Sequence, residues 1–401
     1  MKSLRILLVL NEAPLPFGHA LGRWYSVLLR GLVERGHRVT AYAPCANPDD
    51  LRRIRELFAP PVFDLRLYPF PERHSVWGKL RTLRRPFSYM IHSDLRRDLR
   101  KEIGWDVLHL EGIWSGWLGE GCDPSKVVLN FHSLYDIDQA GQADLGWRHR
   151  IDQALRRRAE HYLLKSFDTL ITLTPRLKEG VRAIAPRTPV HVVPLGLDAE
   201  QYPFIPTECR LRQPIISLIG SMNWYPSYSA AVRLLTRLLP AIRAKLPEVR
   251  VVIVGWHARA ALRPFLPMPG VEILENVPDT RPFFENSSLL LYAPERGSGM
   301  KVKVLEAFAY GVPVVTTSEG VEGIPAQDGI HAGISDEDTG LVERALGLLK
   351  DLARQESQRQ AARSLVEEHC HPRVVLDGVE RCYEDMLNRQ AGRLSHRKPA
   401  A

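Results

Sequence analysis

The stretch APERGSGMKVKVLEAFAYGVPVVTT, residues 293–317, decides the fold. Its left flank, residues 289–292, is a short apolar run that reads as a strand ending near Ala293. A loop with Gly297 and Gly299 follows, a helix starts near Met300, and β-branched residues return at 314–316. Strand, loop, helix and strand in that order form the βαβ unit of a parallel sheet. Backbone amides then point outward at the start of the helix, which makes an anion site. Lys301 and Lys303 are expected in the first helical turn, where cations oppose the macrodipole unless an anion sits there. Lys303, Glu306 and Tyr310 share one helical face, whereas Val302, Leu305 and Ala309 form a separate stripe expected to face the core. The lysine and glutamate read in two ways. They are an ordinary intrahelical ion pair, or a cation for a diphosphate with a carboxylate for the vicinal hydroxyls of a ribose.

Working outward, the same alternation covers most of the chain. Candidate strands lie at residues 6–10, 38–42, 62–67, 107–110, 127–131, 169–173 and 190–194, with an amphipathic helix at 21–34 stopped by Gly36. Residues 195–214 hold Gly196, Pro203, Pro206 and Pro214 and read as a linker. A second series follows at 215–219, 251–254, 271–274, 289–292, 314–316 and 332–334, with helices expected at 230–246 and 302–310. Beyond Asp336 the chain reads as helical, broken at His371-Pro372, with a last helix at 374–388 and a frayed tail from Gln390. The fold expected is α/β, with two Rossmann-like domains in tandem: residues 1–205, residues 206–371, a helix at 372–390 returning to the first domain, and a tail at 391–401.

Two domains also suit 401 residues, because one core rarely grows beyond about 250 to 300. With 45% hydrophobic and 25% charged residues and slightly negative mean hydropathy, the composition fits neither a disordered chain nor a multispanning membrane protein. Most of the formal charge of +8 is local. Between Arg73 and Lys101 the basic residues Arg73, Lys79, Arg81, Arg84, Arg85, Arg96, Arg97, Arg100 and Lys101 meet only Asp94 and Asp98. Val76, Leu80 and Leu83 recur there at helical spacing with Trp77 nearby, as on an interfacial amphipathic helix or a plain solvated face. Five cysteines without a CxxC pair point to a reducing compartment, with cytoplasm as the expected location. The opening run 6–10 is too short for a membrane span and reads as a buried strand.

The block KVLEAFAYGVPVVTT at 303–317 resembles the signature of the group-one glycosyltransferases, retaining enzymes of the GT-B fold that use nucleotide sugars. Other parts match in order. Gly18 follows the first strand, and ERGHRVT at 34–40 leads into the second. TLTP at 172–175 and VVPLGLD at 192–198 precede the linker, and GSMNWYP at 220–226 opens the second domain. The resemblance implies two domains facing across a cleft, the first for the acceptor and the second for the donor. It makes Glu306 the ribose ligand and assigns the diphosphate to Lys303 with Lys301. Gly18, Gly220, Ser298 and Gly299 complete the donor site, and His132 lies near the anomeric carbon. The catalytic set implied is His132, Lys303 and Glu306, with no metal and no cofactor beyond the co-substrate, a UDP- or GDP-sugar. The acceptor implied is a glycan or lipid-linked hydroxyl in cell-envelope or exopolysaccharide synthesis.

The chain also departs from the family pattern. Eight residues before Glu306 stands Ser298 where a first glutamate is usual, and Glu295 is eleven away. No Arg and Lys pair follows the first strand of the second domain, so phosphate neutralisation is expected to fall to Lys301 and Lys303. Trp77, Lys79, Arg81, Arg84 and Arg85 are the expected acceptor or membrane surface, on the inner face of the cytoplasmic membrane. Trp105, Trp114, Trp117 and Trp147 read mainly as packing, with stacking on an acceptor as the alternative. Asp136-Ile-Asp138 matches a metal-binding DxD but reads as coincidence, and 368–371 (EHCH) as a helix end. Competing readings are a nucleotide-sugar epimerase of the same fold and a non-enzymatic binder of anionic surfaces or nucleic acid. No nucleic-acid motif accompanies the basic stretch.

Overall fold

The computed structural model describes residues 2–16, 20–45, 48–69, 85–86, 88, 94–138, 146–206 and 214–395. The expected Gly18 and the surface residues Trp77, Lys79, Arg81 and Arg84 with their expected amphipathic helix lie outside them. The chain divides into two compact units. One holds Met1–Asp136, Ala140–Gly196 and Pro372–Ala401, and the other holds Ile137–Gln139 and Leu197–His371.

The first unit is built on seven strands: β1 Arg5–Val9, β2 Arg38–Pro44, β3 Asp64–Tyr68, β4 Val107–Glu111, β5 Val127–Phe131, β6 Thr169–Thr172 and β7 Val190–Val192. All pair in parallel, in the order β3-β2-β1-β4-β5-β6-β7. The second unit repeats the plan with β8 Ile215–Ile219, β9 Arg250–Gly255, β10 Val271–Glu275, β11 Leu289–Tyr292, β12 Val314–Thr316 and β13 Gly333–Ile334, ordered β10-β9-β8-β11-β12-β13. β4, β5, β8 and β11 are buried along their whole length, as central parallel strands covered on both faces must be. In each sheet the strand order reverses beside the first strand, at β1/β4 and β8/β11. Such switch points, at the carboxyl ends of the strands, are where ligands bind in doubly wound folds.

Several boundaries differ from the sequence reading for local reasons. β3 starts at Asp64 rather than 62, because Pro60 and Pro61 precede it and Val62 is exposed. The helix expected at 230–246 starts at Tyr225 and passes through a π segment, Leu234–Leu238. Pro240 follows, and the wider turn absorbs the hydrogen bond and the space its ring denies to a regular helix. The last helix runs through Pro372–Ser395 and so continues past Gln390. It lies within the first unit, where Arg35 pairs with Asp377 at 2.7 Å and also with Glu380, and His37 Nε2 meets Glu380 Oε1 at 2.9 Å. Gly31 lets the helix Ala20–Glu34 close onto Leu376, which a Cβ there would strike. No described helix is long and apolar enough to cross a membrane.

Candidate active site

In the second unit the quoted loop ends β11 and feeds the helix Val302–Tyr310, buried from Val304 to its end, Glu306 included. Lys303 Nζ donates to Ser227 Oγ at 2.8 Å and stands 4.2 Å from the centre of the Tyr292 ring. Burial, then the neighbouring Lys301, push its ammonium down to about 7. An ammonium held so poorly by its own protein is a strong receptor for an anion. Gly220, ending β8, makes room for it: a Cβ there would lie 2.8 Å from both Lys303 Nζ and Ser227 Oγ. Gly255 makes room for Gly220, since a Cβ at 255 would collide with the Gly220 carbonyl. Gly255→Ala is therefore expected to displace this strand end and cost about 1 to 3 kcal/mol of stability, checked by urea unfolding.

Lys301 stands elsewhere than expected. It precedes the helix instead of lying in its first turn, and its Nζ donates to the carbonyls of Ser298 at 3.1 Å and Gly299 at 2.5 Å. It braces the loop from within, while its charge depresses Lys303. Gly299 adopts a left-handed backbone, with φ of 76°, so the loop can turn its carbonyl onto that lysine. Ser298, at the position of the missing glutamate, does meet a carboxylate. Its N–H and Oγ both donate to Asp138 Oδ1 at 2.7 Å, and Asp138 belongs with this unit. Asp136 is held by Arg157 at 3.0 Å and His161 at 3.3 Å, so the two aspartates of the DxD have different partners. Glu295 accepts from the Tyr225 hydroxyl at 3.1 Å.

Glu306 is 6% exposed and accepts from the Tyr202 hydroxyl at 3.4 Å. Tyr202 packs edge-on to Tyr310, the third member of the predicted face. Two arginines of the helix Leu352–His369 fix this corner. Arg363 donates to the carbonyls of Tyr202 and Ala309 at 2.6 Å and of Ala199 at 2.9 Å, and buried Arg359 reaches those of Gly311 and Ile205. Neither arginine nor Tyr202 is apparent from the motif.

In the first unit the switch point holds a cluster that the sequence reading missed except for one member. His132, just past β5, places Nε2 2.8 Å from Oε2 of Glu111, a carboxylate with no exposed surface at the end of β4. Asn130 Nδ2 donates to Oε1 at 3.0 Å and Trp24 Nε1 to Oε2 at 3.4 Å, while His109 Nε2 lies 3.2 Å from Oε1. Burial opposes the charge on Glu111, but the two imidazoles hold its carboxyl down at about 2. A carboxylate only accepts, so His132 Nε2 carries a proton, whereas His109 Nε2 is buried without a hydrogen bond. His109 Nδ1 shares a hydrogen bond with the Tyr383 hydroxyl at 2.6 Å, and His132 has Nδ1 left as its acceptor. The signal in the sequence was His109-Leu-Glu111, two polar residues at strand spacing in a run otherwise apolar.

Of the remaining predicted residues, Arg85 is half-exposed, pairs with Glu120 at 2.8 Å and lies over the buried Trp117 ring. Trp147 is exposed on its helix.

A family model described as "Glycosyl transferase 4-like domain" matches residues 23–196, and one described as "Glycosyl transferases group 1" matches residues 213–351. No curated protein sequence gives a significant match. Solved structures with the same fold include sucrose-phosphate synthase from Thermosynechococcus elongatus, with a TM-score of 0.71 and 13% identity over 96% of this chain and 100% of that one. WaaG, a glycosyltransferase involved in lipopolysaccharide biosynthesis, gives 0.65 and 17% over 92% of this chain and 97% of its own. Anabaena HepE in complex with UDP and glucose gives 0.64 and 13% over 95% and 100%. With both family models matching in order, and two parallel sheets of GT-B type beneath them, the chain belongs to the group 1 glycosyltransferases.

Proposed function

We propose that the chain transfers a hexose from a nucleoside diphosphate sugar, UDP- or GDP-linked, to a hydroxyl of a glycan or lipid-linked acceptor. The observation that carries this reading is Lys303, a half-buried ammonium with a depressed pKa at the β8/β11 switch point, one helical turn from the carboxylate of Glu306. In this reading the second unit holds the donor, with Glu306 accepting from the ribose hydroxyls. Lys303 and the loop amides meet the charge that develops on the leaving diphosphate, so no metal is obligatory. The first unit takes the acceptor, and His132 offers Nδ1 to a sugar hydroxyl while Glu111 fixes its ring. Retention at the anomeric carbon follows the family resemblance, and HepE, solved with UDP and glucose, supports the donor class. Work at the inner face of the cytoplasmic membrane, in cell-envelope or exopolysaccharide synthesis, completes the proposal.

A thermal-shift panel of UDP-, GDP-, ADP- and dTDP-sugars with EDTA throughout tests it. One donor is expected to raise the midpoint by several degrees at about 100 Kd, and Glu306→Ala is expected to remove that shift. A panel with no response sinks the reading, and product formed without any acceptor favours an epimerase.

A further inference from the structure

Strand β7 ends the sheet of the first unit, three strands from β4 and so roughly 14 Å from the Glu111 cluster. The helices Pro175–Ile184 and Pro372–Ser395 pack against it and leave a groove of about 690 Å³ along the edge. Lys178, Arg182, Arg187, Arg381 and Arg389 line it, opposed there by the single carboxylate of Asp385.

The charges converge because of spacing. Lys178 and Arg182 stand one turn apart on the first helix, and Gly378, Arg381, Asp385 and Arg389 follow one face of the second. Gly378 forms the floor. A Cβ there would lie 3.3 Å from Val193 Cγ2, so the glycine lets this helix settle close to the strand end and brings its arginines over the groove. Lys178 and Arg182, like charges one turn apart, repel each other. The pairing present does little to relieve this: Arg182 meets Glu179 at 2.8 Å on an exposed surface, and Arg389 donates to the neutral Thr169 hydroxyl at 2.9 Å. His191, in the middle of β7, lines the same groove. Its Nε2 is buried with no hydrogen-bond partner, and its Nδ1 lies 3.9 Å from Asp385. Burial holds its pKa below the usual histidine value; Asp385 opposes that, and Arg389 and Lys178 add smaller pushes in the same direction as burial.

We propose that this edge groove binds a ligand carrying two or more phosphate groups, at a site separate from the donor-binding helix. Arginine forks suit phosphate oxygens, the volume exceeds what a single phosphate needs, and a bound anion relieves the repulsion between the two helices. The inference goes beyond the glycosyl-transfer reading and stands without it.

The test follows the His191 ring signals by NMR in the full chain, identified by their loss in His191→Gln. Inorganic pyrophosphate and vesicles of cardiolipin, with two phosphates per headgroup, or of phosphatidylcholine are added separately. Saturable shifts and a raised His191 pKa with pyrophosphate indicate a free phosphate ligand, and the same response only to cardiolipin vesicles indicates a lipid headgroup. Either response is expected to weaken about tenfold or more in the double variant Arg187→Glu/Arg381→Glu, both exposed positions, and in high salt. It is expected to persist in Lys303→Met, which removes the cation of the other site. The proposal is overturned if His191 answers neither probe, or if its response survives both the charge reversal and high salt.

Discussion

Lys303→Met is expected to make the protein more heat-stable and to abolish its turnover. In the unfolded chain a lysine titrates near 10.4, and in the fold this one is pushed down to about 7 by burial and Lys301. A depressed folded-state pKa means that the stability tied to the group is full above about 10.4 and lost progressively as pH falls to about 7. At neutral pH the ammonium is a burden, and a methionine of similar length removes it. The gain expected is about 1 to 4 kcal/mol, visible as a midpoint several degrees higher. The same change removes the cation proposed to meet the leaving diphosphate, with an expected loss of about 10²- to 10³-fold in kcat. In the wild type, diphosphate binding must raise the Lys303 pKa, so binding takes up a proton above pH 7. UDP affinity is then expected to be highest below pH 7 and to fall about tenfold per unit above it, until the pKa of the complex is reached. Titration calorimetry in two buffers of different ionisation enthalpy reads both the affinity and the proton. A midpoint that falls in the variant, or an affinity flat from pH 6 to 9, contradicts this account of the lysine.

Glu111→Gln is expected to leave a folded protein with little activity. The carboxylate accepts from three donors, His132, Asn130 and Trp24, with His109 Nε2 3.2 Å away. An amide turns one of its own N–H groups toward them, leaving a buried donor unpaired at a cost of about 1 to 3 kcal/mol. The larger effect is on chemistry. Without a full negative charge at Oε2, the proton of His132 is no longer pinned to Nε2, and the acceptor character of Nδ1 is lost in part of the population. A comparable change of tautomer in other enzymes costs up to about 10⁴ in kcat, and a loss of 10² or more is expected here. Donor-induced thermal shifts are expected to stay, because the helix proposed to bind the donor belongs to the other unit. Near-normal kcat in a folded Glu111→Gln protein assigns the carboxylate to packing alone.

The sheets were legible because parallel strands buried on both faces leave uninterrupted apolar runs, and eleven β-branched or leucine positions in β1, β8 and β11 mark three of them. Lys303 and Glu306 were legible because helical spacing is local. What failed was everything made by contacts distant in sequence. Nothing near residue 303 announces Ser227, and nothing near Glu306 announces Tyr202 or Arg363, since these meetings depend on topology. Glu111 was missed for a different reason. Its strand was read as ending at Leu110, so the one charged residue of that run was left in a loop and its burial went unsuspected. Lys301 and Lys303 look equivalent as neighbours in a motif, but the left-handed turn at Gly299 sends one into the loop and leaves the other beside Ser227.

The guanidinium groups of Arg359 and Arg363 bear on how this protein can be cut. The region matched as the group 1 family ends at residue 351, yet both arginines lie in the helix that starts at Leu352. They hold the carbonyls of Ala199, Tyr202, Ile205, Ala309 and Gly311. An excised piece bounded by the matched residues would keep the whole recognisable motif but lose both segments that seat Glu306: the approach through 199–205 and the helix beyond 351. The smallest piece that keeps both arginines with the carbonyls they hold therefore runs from about Leu197 to His371, wider at each end than the stretch by which the family is recognised.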